Sequence, residues 1–223
     1  MDRLGRIRML LGDAAINKLQ NATVMVVGCG AVGSFAIEAL ARSGTGHIIL
    51  IDFDVIEPSN INRQLFALDS TVGTPKVDVA KSRIHDINPE ITVDAINMFF
   101  DDGAQLDVTP DFVIDAIDSV QSKIALYRWC RARNIPFISS MGAARKSDAS
   151  QIRIGKLSRT TVCPLAAKIR KLVRNSDIGD FPVVYSTEAP DPNVRGRTFG
   201  SIITVTGAFG LYMADYVIRE IVK

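Results

Sequence analysis

Three glycines at the spacing G-x-G-x-x-G, Gly28, Gly30 and Gly33, follow an apolar run and open a helical pattern. In a strand–turn–helix unit the first glycine permits the tight turn, the second lets the backbone approach a phosphate, and the third lets the helix lie close to the strand. The helix N-terminus then presents free N–H groups to an anion. A second apolar run, 47–51, ends in Asp52, whose carboxylate can bind ribose hydroxyl groups. This stretch therefore predicts a nucleotide site, and by itself it does not separate NAD from ATP.

The residues that come after Asp52 favour ATP. They include a further carboxylate, two amides and two cations: Asp54, Asn60, Arg63, Gln64 and Lys76. A nicotinamide ring has no use for these cations, whereas a triphosphate attacked at phosphorus develops negative charge that they can stabilise. Asp115 and Asp118 follow another apolar run, and a carboxylate in that position can hold Mg²⁺ against phosphate oxygens.

Four motifs in this order, GCGAVG, DFDVIEPSNINRQ, VGTPK and DAIDS, resemble the ThiF/MoeB-type superfamily, the adenylating domains related to ubiquitin-activating enzymes. The resemblance implies that ATP and Mg²⁺ are bound. It places the three glycines along the phosphates, Asp52 on the ribose, Asp118 on the metal, and the remaining contacts on Asn60, Arg63, Gln64 and Lys76. It also implies a homodimer in which Arg6, in the N-terminal arm, reaches into the partner's site.

The second half of the chain is strongly basic. Residues 119–176 hold 13 Lys and Arg and a single acid, Asp148. Such an imbalance is typical of a surface that contacts a polyanion, and we expect several of these cations to bind nucleic acid. Tyr127 and Trp129 lie among the cations of one predicted helix, where they either stack on bases or belong to the core. The candidate RNA contacts are Arg145, Lys146, Lys168, Arg170, Lys171 and Arg174.

The same half narrows the resemblance. The stretches SSMGAARKSDASQIRIG, PLAAKIRKLVR and VVYSTEAP are similar to the tRNA threonylcarbamoyladenosine dehydratase branch of the superfamily. This branch activates the threonyl carboxylate of a modified adenosine beside the anticodon and closes it into a ring. The resemblance implies tRNA as the substrate. It also brings a cysteine-desulfurase or sulfur-acceptor system into consideration as a partner.

Two other functions stay open at the level of sequence. One is adenylation of the C-terminus of a ubiquitin-like sulfur carrier, and the other is a non-catalytic, nucleotide-regulated module that binds RNA or protein. Against the first, the chain lacks the paired C-x-x-C zinc ligands usual in sulfur-carrier relatives, and its second half is basic. Cys163 stands beside Pro164 at a predicted helix start, and we interpret it as structural.

Strand and helix patterns alternate along the chain, which predicts an α/β fold: a Rossmann-like, doubly wound, mostly parallel sheet with adenylating-domain extensions. We expect a single domain. Residues 1–20 form an N-terminal arm, 21–140 the nucleotide-binding core, and 141–223 an extension facing tRNA and a dimer partner, with a crossover loop at about 177–200.

The segment 199–218 is apolar over about 20 residues, the length that spans a membrane. It nevertheless contains Asp215 and three glycines, so we interpret it as a buried helix or subunit interface and expect no membrane insertion. Three cysteines without C-x-x-C spacing indicate a reducing compartment, and hence a cytoplasmic location.

Overall fold

The computed structural model describes residues 2–189 and 200–223. Within them, seven strands form one sheet in the order β3-β2-β1-β4-β5-β7-β6. All neighbouring strands are parallel except β6 and β7, which are antiparallel at one edge. The strands are β1 Thr23–Val27, β2 His47–Asp52, β3 Thr92–Asn97, β4 Phe112–Asp115, β5 Phe137–Ser140, β6 Ile152–Lys156 and β7 Pro182–Ser186. The predicted mostly parallel, doubly wound sheet is confirmed.

Helices cover both faces of this sheet. They are α1 Gly5–Leu11, α2 Asp13–Asn21, α3 Gly33–Ser43, α4 Lys76–Ile87, α5 Val120–Ala132, α6 Pro164–Val173 and α7 Ile203–Val222. One buried cluster joins α3, α4 and α7 to the sheet, and a second joins α5 and α6 to its other face. Because both faces are covered, the central strands are continuous apolar runs and are buried throughout, as in Val24–Val27.

The strand order reverses between β1 and β4. Strands β2 and β3 extend to one side of β1, whereas β4, β5, β7 and β6 extend to the other. In open α/β sheets, ligands bind in the crevice outside the carboxyl ends of the strands at such a switch point. The glycine turn, Asp52 and the segment after β4 therefore converge at this crevice.

The extension differs from its sequence prediction in one respect. Strand β7, Pro182–Ser186, lies inside the stretch expected to be one long crossover loop. Its proline and the neighbouring glycine obscured the short alternating run, but pairing with both β5 and β6 stabilises the strand. The prediction of a loop is therefore wrong for these residues, and residues 190–199 lie outside the described part of the chain.

Helix α7 accounts for most of the apolar segment near the C-terminus. It packs along α3, and Gly210 makes this close approach possible because a Cβ there would lie 2.2 Å from the carbonyl oxygen of Val32. Val205, Phe209 and Met213 are fully buried in the same cluster. No helix in residues 2–189 or 200–223 is long and apolar enough to cross a membrane.

Candidate active site

The three glycines of the turn after β1 have separable roles. Gly28 has φ of 95°, and a Cβ there would lie 2.7 Å from the carbonyl oxygen of Ala116. A Cβ on Gly33 would lie 1.7 Å from the carbonyl oxygen of Gly28, so both glycines are required by backbone packing. A Cβ on Gly30 would meet nothing closer than the Gln64 side chain at 3.7 Å. The space above Gly30 is therefore open to a ligand, as the phosphate-binding interpretation requires.

Asp52 joins the end of β2 to this turn. One carboxylate oxygen accepts a hydrogen bond from the backbone N–H of Cys29 at 2.6 Å, and the other accepts one from Asp54 at 2.9 Å. The carboxylate is buried and fixed, yet each oxygen keeps a lone pair for a further donor. This arrangement fits the predicted contact with ribose hydroxyl groups. Cys29 itself is buried, and burial, followed by the nearby Asp52 charge, raises the pKa of its thiol well above the ordinary value, which opposes formation of a reactive thiolate.

Lys76 and Asp54 form an ion pair beside the turn. Their charged atoms are 2.6 Å apart, with the lysine side chain 8% exposed and the aspartate 46% exposed. Lys76 is the first residue of α4, and its backbone N–H also donates to the Asp54 carbonyl oxygen at 3.0 Å. The ammonium group is therefore held close to the crevice by a partly exposed carboxylate, so it can be shared with a phosphate.

The segment between β2 and α4 carries the remaining predicted contacts. Asn60 is buried, and its side-chain oxygen accepts a hydrogen bond from the backbone N–H of Glu57 at 3.2 Å. Arg63 is half-buried and donates to the carbonyl oxygen of Ser59 at 2.7 Å. Gln64 is buried beside Gly30.

This segment is fixed to the nucleotide-binding helix. The Ser34 hydroxyl, in the first turn of α3, accepts a hydrogen bond from the backbone N–H of Leu65 at 3.1 Å. The end of this segment therefore lies against the turn after β1, with Gln64 beside Gly30. Of Asn60, Arg63 and Gln64, Arg63 is the most exposed.

Asp115 and Asp118 fit the same sequence pattern, but they differ in burial and in their contacts in the structure. Asp118 is exposed in the loop after β4 and makes no hydrogen bond or ion pair within residues 2–189 and 200–223. Asp115 is fully buried, 2.8 Å from the ammonium nitrogen of Lys123 and 2.6 Å from the hydroxyl oxygen of Ser139. Because the charge of Asp115 is already paired inside the protein, Asp118 is the one of these two carboxylates that is available for the predicted metal.

Sequence reasoning missed the buried network around Asp115. Lys123 is fully buried and also donates to the carbonyl oxygen of Ser140 at 2.8 Å, so it does not belong to the basic surface. Tyr127 bonds to the Ser139 hydroxyl at 2.6 Å, and burial, followed by the charge of Asp115, raises its pKa well above the ordinary value. An aspartate ending an apolar strand, followed eight positions later by a lysine within a helix, was the available signal.

The predicted RNA-contacting cations fall into two groups. Lys168, Lys171 and Arg174 are exposed on α6 and its end, and half-buried Arg170 donates to the carbonyl oxygen of Thr160 at 2.9 Å. Arg145 is half-buried with φ of 59°, and its backbone N–H donates to the Gly200 carbonyl oxygen at 2.9 Å.

Lys146, by contrast, is buried, with its ammonium group on the carbonyl oxygen of Glu188. This placement gives Lys146 a structural role and does not support its predicted contact with RNA. Tyr127 and Trp129 are both buried, so the core interpretation of these two aromatic residues is confirmed.

The N-terminal arm packs near the C-terminal end of α3, where Leu4 lies against Gly44, whereas the glycine turn is at the N-terminal end of that helix. Arg6 is exposed on α1 and has no partner within residues 2–189 and 200–223. Met9 and Leu10 on the same helix are 75% and 82% exposed. Two adjacent apolar side chains at such exposure are unusual on a short helix and mark a surface that another protein surface can cover.

The donor set suits ATP with Mg²⁺. An open glycine turn, a fixed carboxylate at the end of β2, and cations at Lys76 and Arg63 meet the needs of a ribose and a triphosphate. Within the described residues no group of three or more His, Cys, Asp or Glu could cage a metal. Mg²⁺ is commonly bound by one or two carboxylates together with phosphate oxygens and water, and exposed Asp118 fits that pattern.

Comparisons with known proteins extend these observations. The chain matches the ThiF family over residues 4–223. It is 45% identical over 194 residues to the tRNA threonylcarbamoyladenosine dehydratase of Bacillus subtilis, covering 85% of this chain and 76% of that protein. It is 36% identical over 249 residues to the Escherichia coli dehydratase, covering 98% and 92%. The crystal structure of the E. coli enzyme with ATP superposes with a TM-score of 0.92 at 37% identity, covering 98% of this chain and 93% of that one.

The crystal structure of the same E. coli enzyme with AMP superposes with a TM-score of 0.89. The match therefore includes the basic extension and α7 as well as the nucleotide-binding core. By sequence and by fold, the chain belongs to the ThiF family, in the branch whose relatives of similar length carry the name tRNA threonylcarbamoyladenosine dehydratase.

Proposed function

We propose that this chain is an ATP-dependent dehydratase of threonylcarbamoyladenosine in tRNA. The observation that carries the proposal is the agreement along nearly the whole chain with a dehydratase crystallised with ATP, at a TM-score of 0.92. The geometry of the crevice supports it independently, since the open glycine turn, Asp52, Lys76 and exposed Asp118 lie at the carboxyl edge of β1, β2 and β4.

In the proposed reaction the threonyl carboxylate attacks the α-phosphorus of ATP. The bond to pyrophosphate breaks, and an acyl-adenylate forms. A nitrogen or oxygen of the same modified side chain then attacks the activated carbonyl, and AMP leaves with the carboxylate oxygen. ATP is thereby converted to AMP and pyrophosphate while the nucleoside loses the elements of water. Since the ring closure is intramolecular, no enzyme nucleophile is required.

The chain's own residues contribute position and charge. Lys76 and Arg63 would neutralise charge on the phosphoryl oxygens and on the leaving pyrophosphate, an effect that acts most strongly in the transition state. Asp52 would orient the ribose, and the N-terminus of α3 above Gly30 would bind phosphate oxygens. Mg²⁺, held by Asp118, would supply further charge stabilisation on the phosphates.

We also propose a homodimer in which Arg6 completes the partner's site. The arm is too short to build a core of its own, and it exposes Met9 and Leu10. An isologous dimer would cover these side chains and direct each arm towards the other subunit.

The cysteines favour RNA over a sulfur carrier as substrate. The chain contains three, and Cys29, Cys130 and Cys163 are free and buried. A sulfur-transfer cysteine must be accessible as a thiolate, and burial opposes both requirements. Free thiols also support the proposed cytoplasmic location. A sulfur-transfer partner has no support from these residues.

The test is nucleoside mass spectrometry after incubating the enzyme with ATP, Mg²⁺ and tRNA that carries threonylcarbamoyladenosine. We expect a product that is lighter by one water, together with AMP and pyrophosphate. Asp118→Ala and Arg63→Ala should each lower pyrophosphate exchange on the order of 100-fold or more. As a control, Asp107→Ala removes an exposed carboxylate that is not among the predicted ligands, and it should leave the rate of pyrophosphate exchange unchanged.

Several results would contradict the proposal. If the modified nucleoside is unchanged while a ubiquitin-like C-terminus becomes adenylated, the substrate is a protein. Wild-type exchange in the Asp118 or Arg63 variant would remove that residue from the mechanism. Tight binding of NAD in place of ATP, measured by calorimetry, would reject adenylation altogether.

A further inference from the structure

Exposed cations accumulate on the side of the sheet that faces away from the nucleotide crevice. Lys156 pairs with Pro182, the first residue of β7, so both lie at the amino edge of the parallel strands. Arg131, at the end of α5, donates to the carbonyl oxygen of Ile178 at 2.7 Å, just before β7 begins. We call this surface the basic edge; its exposed cations are Arg131, Arg133, Lys156, Arg159, Lys171 and Arg174.

A cavity of about 580 Å³ opens within the basic edge. It lies between the second half of α6 and the segments 157–158 and 176–180, and its cations are Arg170, Lys171 and Arg174. Arg170 is held in place by the carbonyl oxygen of Thr160, at 2.9 Å. Ser158 and Ser176 also line the cavity, but their hydroxyl groups donate to Asp180 at 2.7 Å and to the carbonyl oxygen of Val173 at 3.0 Å. The groups that suit phosphodiester oxygens are therefore the three cations.

The cavity also contains one carboxylate, Asp180, which is held by hydrogen bonds from Ser158. Asp180 accepts hydrogen bonds from the backbone N–H of Ser158 at 3.0 Å and from its hydroxyl at 2.7 Å. Although burial opposes ionisation, these bonds hold the pKa of Asp180 below its ordinary value. Asp180 is therefore an ionised and exposed carboxylate, and it offsets part of the positive charge of Arg170, Lys171 and Arg174. Between residues 149 and 176 the sequence contains no acid at all, and Asp177 follows at the rim.

The basic edge is separated from the crevice by the height of the sheet. Strand β7 has five residues, which correspond to about 16 Å, and the ten residues of α6 correspond to about 15 Å. Helix α6 begins beside Gly142, which follows β5 at the crevice side, and ends at the basic edge. Exposed Lys168, in the middle of α6, lies between the two.

We infer that the basic edge binds the sugar–phosphate backbone of the paired RNA stem that adjoins the loop containing the reacting nucleotide. This inference rests on the proposed function. A nucleotide splayed out of a loop into the crevice is joined on both sides to strands that enter a duplex. The duplex then has to leave the crevice along the protein surface, and α6 provides a cationic path to the basic edge.

The arrangement fits an extended polyanion better than a small anionic ligand. Its cations come from the ends of α5, β6 and α6, three separate elements, rather than converging on one point. Contacts of this kind position an RNA without reading its sequence. The affinity of the enzyme for RNA would accordingly depend on the presence and length of the stem, while the crevice recognises the modified base.

The test compares two RNA substrates on two enzymes. Both RNAs carry the modified nucleoside in the same loop, one closed by a full-length stem and the other by a shortened stem. Lys171→Glu combined with Arg174→Glu reverses charge at the basic edge without touching the crevice. The matched control, Lys18→Glu combined with Lys81→Glu, makes the same charge change at exposed lysines on α2 and α4. Circular dichroism and pyrophosphate exchange with a free nucleoside check the fold and the crevice.

On the full-length stem, the basic-edge variant should raise KM for RNA on the order of ten-fold at low salt. The slope of log KM against log salt concentration should also become shallower, by an amount that corresponds to the loss of roughly one to two phosphate contacts. On the shortened stem, wild type and variant should behave alike, and the control should match wild type on both RNAs. An equal loss on both RNAs, or no loss on either, would overturn the inference. If Lys171→Glu with Arg174→Glu unfolds, the paired alanine substitutions give the same comparison with a smaller effect.

This outcome is distinguishable from failure of the proposed function. If wild-type enzyme and ATP leave the nucleoside unchanged in both RNAs, the dehydratase proposal fails, and with it the inference. If wild type converts the full-length substrate and the basic-edge variant converts it equally well across a salt series, only the stem-binding inference fails.

Discussion

Replacing Lys123 by methionine should destabilise the protein strongly, although Lys123 touches no predicted ligand. The ammonium group lies 2.8 Å from the Asp115 carboxylate, and both side chains are 0% exposed. Methionine preserves most of the buried apolar length, so the main change is a carboxylate left buried without its counter-ion. Breaking a buried pair in this way typically costs about 3–5 kcal/mol. A typical domain has about 5–15 kcal/mol of stability in total, so we expect a folded but weakened protein.

The substitution should also affect the crevice. The other oxygen of Asp115 accepts a hydrogen bond from the backbone N–H of Ile117 at 3.1 Å, and Ile117 precedes Asp118. An Asp115 side chain that moves or takes up a proton would release this loop. In the folded variant we therefore expect the Mg²⁺ concentration for half-maximal exchange to rise, an effect that a purely global loss of stability would not produce.

Urea unfolding followed by circular dichroism measures the first effect. The midpoint should fall while the slope of free energy against urea stays constant. Asp115→Asn and the double variant complete a thermodynamic cycle, in which the double variant should lose at least about 1 kcal/mol less than the sum of the single variants. Lys81→Met, at an exposed lysine, should stay within about 0.5 kcal/mol of wild type. Additive losses, or a Lys123 variant as stable as wild type, would refute the reasoning.

Three further predictions concern other parts of the molecule. The Gly30→Ala variant should fold normally yet bind ATP more weakly in calorimetry. The Gly28→Ala variant is strained at φ of 95°, so it should lose more than about 1 kcal/mol of folding free energy and melt at a lower temperature. Equal behaviour of the two variants would contradict their separate roles. Mixing Arg6→Ala with Asp118→Ala protein should restore one working site per mixed dimer, and no recovery in a verified mixed dimer would place Arg6 outside the partner's site. Partial burial opposes ionisation of Glu38, but hydrogen bonds from two arginines hold its pKa below the ordinary 4.5. Glu38→Gln should therefore cost about 1 kcal/mol at pH 7 and nothing at pH well below 4, where the contribution of Glu38 is lost; equal melting temperatures at pH 7 would reject this.

Much of the crevice was predictable because its elements are close together in sequence. The spacing of Gly28, Gly30 and Gly33 specifies a strand–turn–helix unit, and Asp52 follows as the next strand ends. These are local relations, so backbone sterics and strand length suffice to place them. The α/β class followed in the same way from alternating apolar runs, each of which reports burial within a few residues.

Strand β7 and the basic edge needed the assembled sheet. The run 182–186 is short and interrupted by proline, and becomes a strand only because β5 and β6 offer it backbone partners. The excess of cations in 119–176 is visible in the sequence, but their positions at the amino edge of the strands depend on the order of β5, β7 and β6.

Asp115 and Asp118 became distinguishable only in the folded chain. Three positions apart and identical in type, they fit the same sequence pattern, yet one is buried against Lys123 and the other is exposed at the crevice. The types of these residues give their charges and their spacing places them near one another, which was enough to predict a nucleotide site with acidic and basic groups. Whether a charge is available to a ligand depends on the groups that surround it in space. Those groups come from α5 and β5, brought to the end of β4 only when the chain folds.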